Sequence, residues 1–133
     1  MPKNQPGRNL HMIKGLDHLV LFCLDTEKSK EWYKKAGFEY SHGYEGMHWF
    51  HLGSGLIMLH PAETVTTGDT AVHAAVEDVH QHFRQVRENG LVPIDHQEGS
   101  KPIDEPVTRP WGDIEFELDD VDGHRWAFTQ RAL

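Results

Sequence analysis

Residues 16–37 read LDHLVLFCLDTEKSKEWYKKAG, and this stretch decides the fold. The run Leu16–Leu24 is almost wholly apolar, with β-branched and aromatic members, which predicts a buried strand. An acidic start and a basic end follow over Thr26–Ala36, with three apolar residues on one side. That pattern predicts a short amphipathic helix, capped by Asp25 or Thr26.

The order strand, helix and three strands is predicted twice along the chain. In the first half, glycine-rich turns separate three short extended segments: Phe38–His42, Met47–Leu52 and Leu56–His60. The second half has a strand, a helix and three strands: Ala71–Val76, Val79–Asn89, Leu91–Ile94, Ile114–Leu118 and Arg125–Thr129. Asp25 and Gly37 lie twelve residues apart, as do Asp78 and Gly90. This spacing predicts a duplication with a period of about 53 residues, although an α+β chain can repeat such elements by chance.

The predicted fold class is therefore α+β, built from two β-α-β-β-β modules. A chain of 133 residues has room for one domain only. We expect that domain over residues 13–133, with module one at 13–62 and module two at 70–130. Residues 1–12 are polar and rich in turn formers, which predicts a disordered extension or a tag.

Composition excludes several kinds of partner. The formal charge of −8 argues against nucleic acid and against an anionic membrane surface, because both are bound by clustered lysine and arginine. No apolar run approaches the length of about 20 residues that a membrane span needs. Cys23 is the only cysteine, so an intramolecular disulfide is impossible and a cytoplasmic location is expected. Cys23 also has no local partner that would activate it as a nucleophile.

Several short motifs resemble those of the vicinal oxygen chelate superfamily, which includes glyoxalase I, extradiol dioxygenases and bleomycin-resistance proteins. The likeness spans Ile13 to Gln130, and these pieces carry it: Leu16-Asp17-His18-Leu19, Trp32-Tyr33, Gly37-Phe38, Trp111-Gly112 and Asp122-Gly123-His124-Arg125-Trp126. The resemblance implies that the two modules curl into a glyoxalase-like open barrel around one cavity for a small molecule. It also implies a homodimer.

The resemblance further implies four positions at which a metal ion would be bound. Metal-dependent members hold a divalent ion with His or Gln on the opening strand of each half and Glu on the closing strand of each half. His18 matches the first position, but Ala71 stands at the second. The segment Leu56–His60 has no carboxylate in any register, and Ala127 aligns with the last glutamate. The metal site of the family is thus broken at three of its four places.

Two interpretations remain after this departure. In the first, which we favour, the chain kept the cavity, needs no cofactor and binds an organic ligand by shape and stacking, as bleomycin-resistance-like members do. In the second, His18, His60 and His73 form a non-standard site for zinc, nickel, manganese or iron, and the protein is a metal-dependent lyase, isomerase or dioxygenase. A buried histidine more often bonds to a neighbour than to a metal.

Flat apolar side chains with a few polar groups are typical of small-molecule sites. Trp111 follows a proline-rich loop at the start of a strand, where cavity mouths form, and Arg109 could pair with a ligand anion. Glu115 and Glu117 project to one strand face, where they could attract a cation or simply face solvent. The predicted ligand-binding set is His18, Trp49, His60, His73, Arg109, Trp111 and Glu115. The expected ligand is a small aromatic or cationic organic molecule, bound for resistance or sequestration.

Overall fold

The computed structural model describes residues 11–132, so the prediction for the N-terminal extension lies largely outside the described residues. The first module contains β1 (His18–Cys23), α1 (Thr26–Lys35), β2 (Tyr40–Tyr44), β3 (Met47–Leu52) and β4 (Gly55–Pro61). The second contains β5 (Ala71–Ala75), α2 (Val79–Glu88), β6 (Ile94–Asp95), β7 (Lys101–Pro102), β8 (Val107–Thr108), β9 (Ile114–Asp119) and β10 (Arg125–Gln130). The predicted α+β class and the two modules are confirmed.

Both helices are capped by an aspartate, and for the first helix this is Asp25, one of the two predicted caps. The Asp25 carboxylate accepts hydrogen bonds from the backbone N–H groups of Glu27 and Lys28, and Asp78 accepts one from Gln81. These bonds satisfy N–H groups that have no partner within the helix. Each helix is ten residues long, and neither has the length and apolar character that would let a described helix cross a membrane.

Each module forms one sheet. In the first sheet the strand order is β1-β4-β3-β2, and β1 runs parallel to β4 while the other neighbours are antiparallel. In the second sheet the order is β5-β10-β9-β6-β7, with β8 also paired to β9, and β5 runs parallel to β10. The opening strand of each module is therefore an end strand of its sheet, next to the closing strand.

The second module departs most from the predicted strands. A strand was expected at Leu91–Ile94, but only Ile94–Asp95 pairs there. The Leu91 N–H closes the end of α2 by donating to the Val86 carbonyl, and Pro93 has no N–H to give to a ladder. The first module has a smaller shift, since β2 begins at Tyr40 and not at Phe38.

The two modules share one hydrophobic core. Phe50 and Ile57 of the first sheet, Trp126 and Phe128 of the second, and the inner sides of both helices belong to a single buried cluster. Tyr33 of α1 packs edge-on against Trp126 with ring centroids 5.9 Å apart. The face of each sheet that carries the helices therefore points into this shared core. The opposite face of each sheet, here called its outer face, points away from it.

A buried polar chain crosses the seam between the modules. The Tyr33 hydroxyl donates to Asp120 Oδ2 at 2.5 Å and accepts from the Trp126 indole N–H at 2.9 Å. Burial raises the pKa of Tyr33 and also that of Asp120. Asp120 accepts two further bonds from the backbone N–H groups of Asp122 and His124, so it anchors the β9–β10 turn beside α1.

Replacing Tyr33 with phenylalanine should lower the free energy of unfolding by about 2–4 kcal/mol, because the Trp126 N–H and the Asp120 carboxylate both lose a buried partner. Chemical denaturation measures this loss. The matched control is Tyr44→Phe, since Tyr44 is 62% exposed and the change there should stay within about 0.5 kcal/mol. Equal effects at the two positions would contradict the assigned role of the Tyr33 hydroxyl.

Candidate ligand-binding site

The outer face of the first sheet carries a row of large side chains. Register places Val20 of β1 beside Met58 of β4, Met58 beside Trp49 of β3, and Trp49 beside His42 of β2. Directly opposed residues of neighbouring strands project to the same face. This row therefore crosses all four strands on the side away from the helices.

Two aromatic pairs lie on this outer face, one of them within the row. The Trp49 indole stacks on the His42 ring, with centroids 4.5 Å apart and planes 8° from parallel. Phe22 meets the His60 ring edge-on at 5.6 Å, and Phe22 is 50% exposed. A β-bulge between Tyr40 and His42 turns His42 to the outer face, which sequence alternation alone did not indicate. The structure thus places the predicted residues Trp49 and His60 on one exposed aromatic face.

His18 and His60 lie on neighbouring strands but at different heights. The Cα partner of His18 is Leu56, whereas that of His60 is Phe22. An offset of four residues corresponds to about 13 Å along parallel strands. His18 Nδ1 contacts Asp17 Oδ2 at 2.8 Å, and His60 Nδ1 lies 2.8 Å from the Pro61 carbonyl oxygen. Each ring thus has a local partner.

His73 belongs to the other sheet. Its Cα partner on β10 is Ala127, whose side chain has no atom that could bind a metal. His73 Nδ1 lies 3.3 Å from Thr129 Oγ1 and 3.9 Å from Glu115 Oε1, and its side chain is 55% exposed. The single chain therefore does not bring His18, His60 and His73 together.

A divalent ion does not fit the residues at these positions. Leu56 and Met58 face the neighbourhood of His18, and Ala127 faces His73, so the ligands of the family are replaced by apolar side chains. Among residues 11–132, three metal-binding side chains converge within 4.8 Å only at Asp120, Asp122 and His124. That group already joins the modules, because Asp122 accepts from Leu24 N–H and Ser29, and His124 Nε2 bonds to the Phe22 carbonyl oxygen.

A buried ion cluster occupies the outer side of the second sheet. The Arg109 guanidinium donates two bonds to Asp95, at 3.1 and 3.2 Å, and a third to Glu115 Oε2 at 3.1 Å. Glu117 Oε1 lies 3.9 Å from the same guanidinium, and His96 lies between Glu117 and Asp119. Arg109 is therefore engaged by carboxylates within the chain, and not placed to pair with a ligand anion.

Glu115 and Glu117 do not face solvent, which was the alternative left open by the sequence. They are only 4% and 7% exposed. Burial would raise the pKa of Asp95, yet hydrogen bonds from Arg109 hold that pKa below its usual value. Three carboxylates thus surround one guanidinium. The contribution of Asp95 was missed because it is distant in sequence and sits on a two-residue strand.

Trp111 is displayed on a fixed turn. Its side chain is 62% exposed at the turn between β8 and β9. The Arg109 N–H donates to the Asp113 carbonyl, and the Ala132 N–H donates to the Asp113 carboxylate. With the Arg109 guanidinium held by Asp95 and Glu115, this turn has a defined position. The structure therefore agrees with an accessible Trp111 at the edge of the second sheet.

Among the described residues, a cleft of about 240 Å³ borders β1, and Val20 and Phe22 of the outer face belong to its lining. A cleft of about 880 Å³ borders the start of α2, and one of about 490 Å³ lies in the seam, lined in part by Phe38, His82 and Phe128.

Cys23 is fully buried, and burial raises the pKa of its thiol to about 12, so it stays protonated and unreactive.

The comparisons with known proteins agree with this architecture. A model of the Glyoxalase/Bleomycin resistance protein/Dioxygenase superfamily matches residues 15–128. A comparison with curated proteins finds no match.

Solved structures share the fold at low identity. A glyoxalase family protein from Bacillus anthracis is 21% identical with a TM-score of 0.71, covering 90% of this chain and 97% of its own. A bleomycin resistance determinant encoded on the transposon Tn5 is 18% identical with a TM-score of 0.69, covering 90% and 99%. A protein from the mobile metagenome of V. pseudocholerae is 23% identical with a TM-score of 0.67, covering 91% and 97%. From the family match over most of its length, the chain belongs to the Glyoxalase/Bleomycin resistance protein/Dioxygenase superfamily.

Proposed function

We propose that this protein binds a small aromatic, positively charged organic molecule without a metal, and protects by sequestering it. The observation that carries the proposal is the replacement of metal ligands by apolar side chains in register with the histidines. Leu56 is the strand partner of His18, and Ala127 is the partner of His73. Three of the four positions that hold an ion in metal-dependent relatives thus carry apolar side chains, which can contact an organic surface but cannot bind an ion.

Stacking supports an aromatic ligand. Trp49 and His42 form a flat pair, and Phe22 lies exposed on the same outer face. Aromatic side chains provide a large contact area at a low cost in conformational entropy, and their faces attract cations. Trp111 offers a further exposed indole, carried by the second sheet.

Electrostatics support a cationic ligand. Asp95, Glu115 and Glu117 surround the single guanidinium of Arg109, which leaves an excess of negative charge behind the outer face of the second sheet. The formal charge of the whole chain is −8. A field of this sign raises the local concentration of cations and speeds their association.

A homodimer is part of the proposal. In one chain the two outer faces point away from a common core, and β1 and β5 are end strands of their sheets. A second copy could bring the outer face of its second sheet against the first sheet of its partner, which would enclose Trp49 and Trp111 in one cavity. A cytoplasmic location also belongs to the proposal, since the single cysteine is a buried free thiol.

Trp49→Ala should weaken binding of N-methylacridinium by roughly 3- to 30-fold, because a stacking and cation–π partner worth about 0.5–2 kcal/mol is removed. Isothermal titration calorimetry at pH 8 measures this change. Acridine, which has the same ring system without the charge, should bind more weakly than N-methylacridinium. The matched control is Trp32→Ala, since Trp32 lies on α1 and packs against the core, away from the outer face.

Two results would overturn this proposal. One is binding of N-methylacridinium that Trp49→Ala and Trp32→Ala reduce equally. The other is near-stoichiometric zinc, nickel, manganese or iron in protein purified without a tag or chelator, lost in a His18→Ala, His73→Ala double variant. That second result would favour the metal-dependent lyase, isomerase or dioxygenase.

The dimer prediction has its own measurement. Light scattering coupled to size-exclusion chromatography should give about twice the chain mass of 15.3 kDa. Calorimetry should then give two N-methylacridinium sites per dimer, because the symmetry that creates one cavity creates a second. A monomer that binds one N-methylacridinium with full affinity would contradict the two-chain cavity.

Arg109→Lys should weaken the binding of N-methylacridinium, because the turn that carries Trp111 becomes less ordered. It should also lower the free energy of unfolding by about 3–5 kcal/mol. A lysine ammonium keeps the positive charge but cannot reproduce the three-bond fork to Asp95 and Glu115, so buried carboxylates lose charge-assisted hydrogen bonds worth about 1.5–3 kcal/mol each. Chemical denaturation and calorimetry measure the two effects. The control is Arg84→Lys on the exposed side of α2, where both quantities should remain unchanged. An unaltered stability of Arg109→Lys would contradict the role of the cluster.

A further inference from the structure

A chain of three polar side chains lies on the helix side of the first sheet, apart from the outer faces. His48 of β3 is 8% exposed, and its Nε2 contacts Glu27 of α1. Its other ring nitrogen, Nδ1, lies 2.9 Å from the hydroxyl of Tyr40 on β2. Tyr40 pairs with Phe50, a core residue, and this fixes its orientation toward the helix side. A carboxylate, an imidazole and a phenol thus form one hydrogen-bonded chain.

Hydrogen-bonding capacity assigns the protons in this chain. The hydrogen bond from His48 lowers the pKa of Glu27, so Glu27 is an ionised carboxylate that can only accept. His48 Nε2 therefore carries the proton it donates to Glu27. In the neutral ring Nδ1 is then an acceptor, and the Tyr40 hydroxyl donates to it. A base held by a carboxylate and aimed at a hydroxyl is the arrangement that activates nucleophiles in acyl transfer.

Two further observations favour reactivity at Tyr40. The ammonium groups of Lys30 and Lys34 lie 5.5 and 5.2 Å from the centre of its ring, where their charge stabilises a developing phenolate. At position 43, a Cβ would come within 2.7 Å of the Tyr40 hydroxyl and 3.0 Å of His48 Nδ1. Gly43 therefore keeps the space beside the reacting atoms free. Tyr40 itself is only partly buried.

We infer that Tyr40 is an acyl-accepting residue that takes the acyl group of an activated carboxylic ester, namely an aryl ester. The Tyr40 oxygen forms a bond to the acyl carbon, and the bond from that carbon to the aryloxy oxygen breaks. The phenolic proton passes to His48 Nδ1, and the aryloxide leaves. His48 then holds a proton on both nitrogens beside the Glu27 carboxylate. His48 Nδ1 then returns this proton to the departing aryloxide, so the products are an ester at the Tyr40 oxygen and a free phenol.

This site is independent of the proposed ligand cavity. Tyr40 and His48 point from the first sheet toward α1, which carries Glu27, whereas Trp49 and His42 point to the outer face of the same sheet. Glu27 acts through His48 and is a positioning residue. Lysines 30 and 34 can also react with esters, so the modified side chain must be identified and not only the added mass.

The test is acetylation of the full chain by p-nitrophenyl acetate, followed by peptide mass spectrometry over time. Tyr44 is the internal control, because it lies on the same strand, is 62% exposed and has no histidine contact among the hydrogen bonds of the described residues. General-base assistance predicts acetylation of Tyr40 roughly 100-fold faster than that of Tyr44. Hydroxylamine should remove this label, since it cleaves aryl esters but not the amides formed at lysine.

His48→Gln should bring the Tyr40 rate down to that of Tyr44, and Glu27→Gln should reduce it to an intermediate value, while Tyr44 reacts as before. Tyr40→Phe should lose the hydroxylamine-sensitive label. A purely structural hydrogen-bond chain would change stability in these variants without setting a rate difference between two tyrosines of one molecule. Equal rates at Tyr40 and Tyr44 in the unmodified protein would overturn the inference, even if a variant fails to fold.

Discussion

The hydrogen bonds of the Tyr33 hydroxyl join the two modules, and the rest of the structure depends on this junction. Tyr33 lies on α1, yet its partners Asp120 and Trp126 belong to the second module. Because the helix sides of both sheets meet in one core, both outer faces are turned away from it. The junction thereby decides which side chains are free to meet a ligand.

The outer faces then acquire different chemical characters. The first sheet presents stacked rings and thioether, with Trp49 against His42 and Met58 beside them. The second sheet has buried acidic groups on this side, where Arg109 forms ion pairs with Asp95 and Glu115. A hydrophobic platform on one sheet and a negative potential behind the other complement each other for a flat cation. This difference between the two faces supports the proposed two-chain cavity.

Sequence patterns predicted the elements well where the cause was local. The aspartate caps, the apolar run of β1 and the turn glycines act within a few residues, so their effects could be deduced directly. The strand expected at Leu91–Ile94 is shortened to Ile94–Asp95. The Leu91 N–H is bonded to the end of α2, and Pro93 has no N–H for strand pairing. Arg109 was expected to face a ligand, but Asp95, fourteen residues earlier, holds it. Such long-range pairs leave no periodic trace in the sequence.

The sequence by itself determined the α+β class and the two modules, because these follow from residue identity and spacing. The loss of carboxylates at the metal positions could also be recognised from the sequence, but only through the resemblance to the family that implies those positions. Only the tertiary structure decided that His18, His60 and His73 stay apart, because strand register sets their separation. It alone revealed that Glu115 and Glu117 are buried, since their neighbours come from other strands. The hydrogen-bonded chain of Tyr40, His48 and Glu27 likewise exists only because β2, β3 and α1 meet on one side of a sheet.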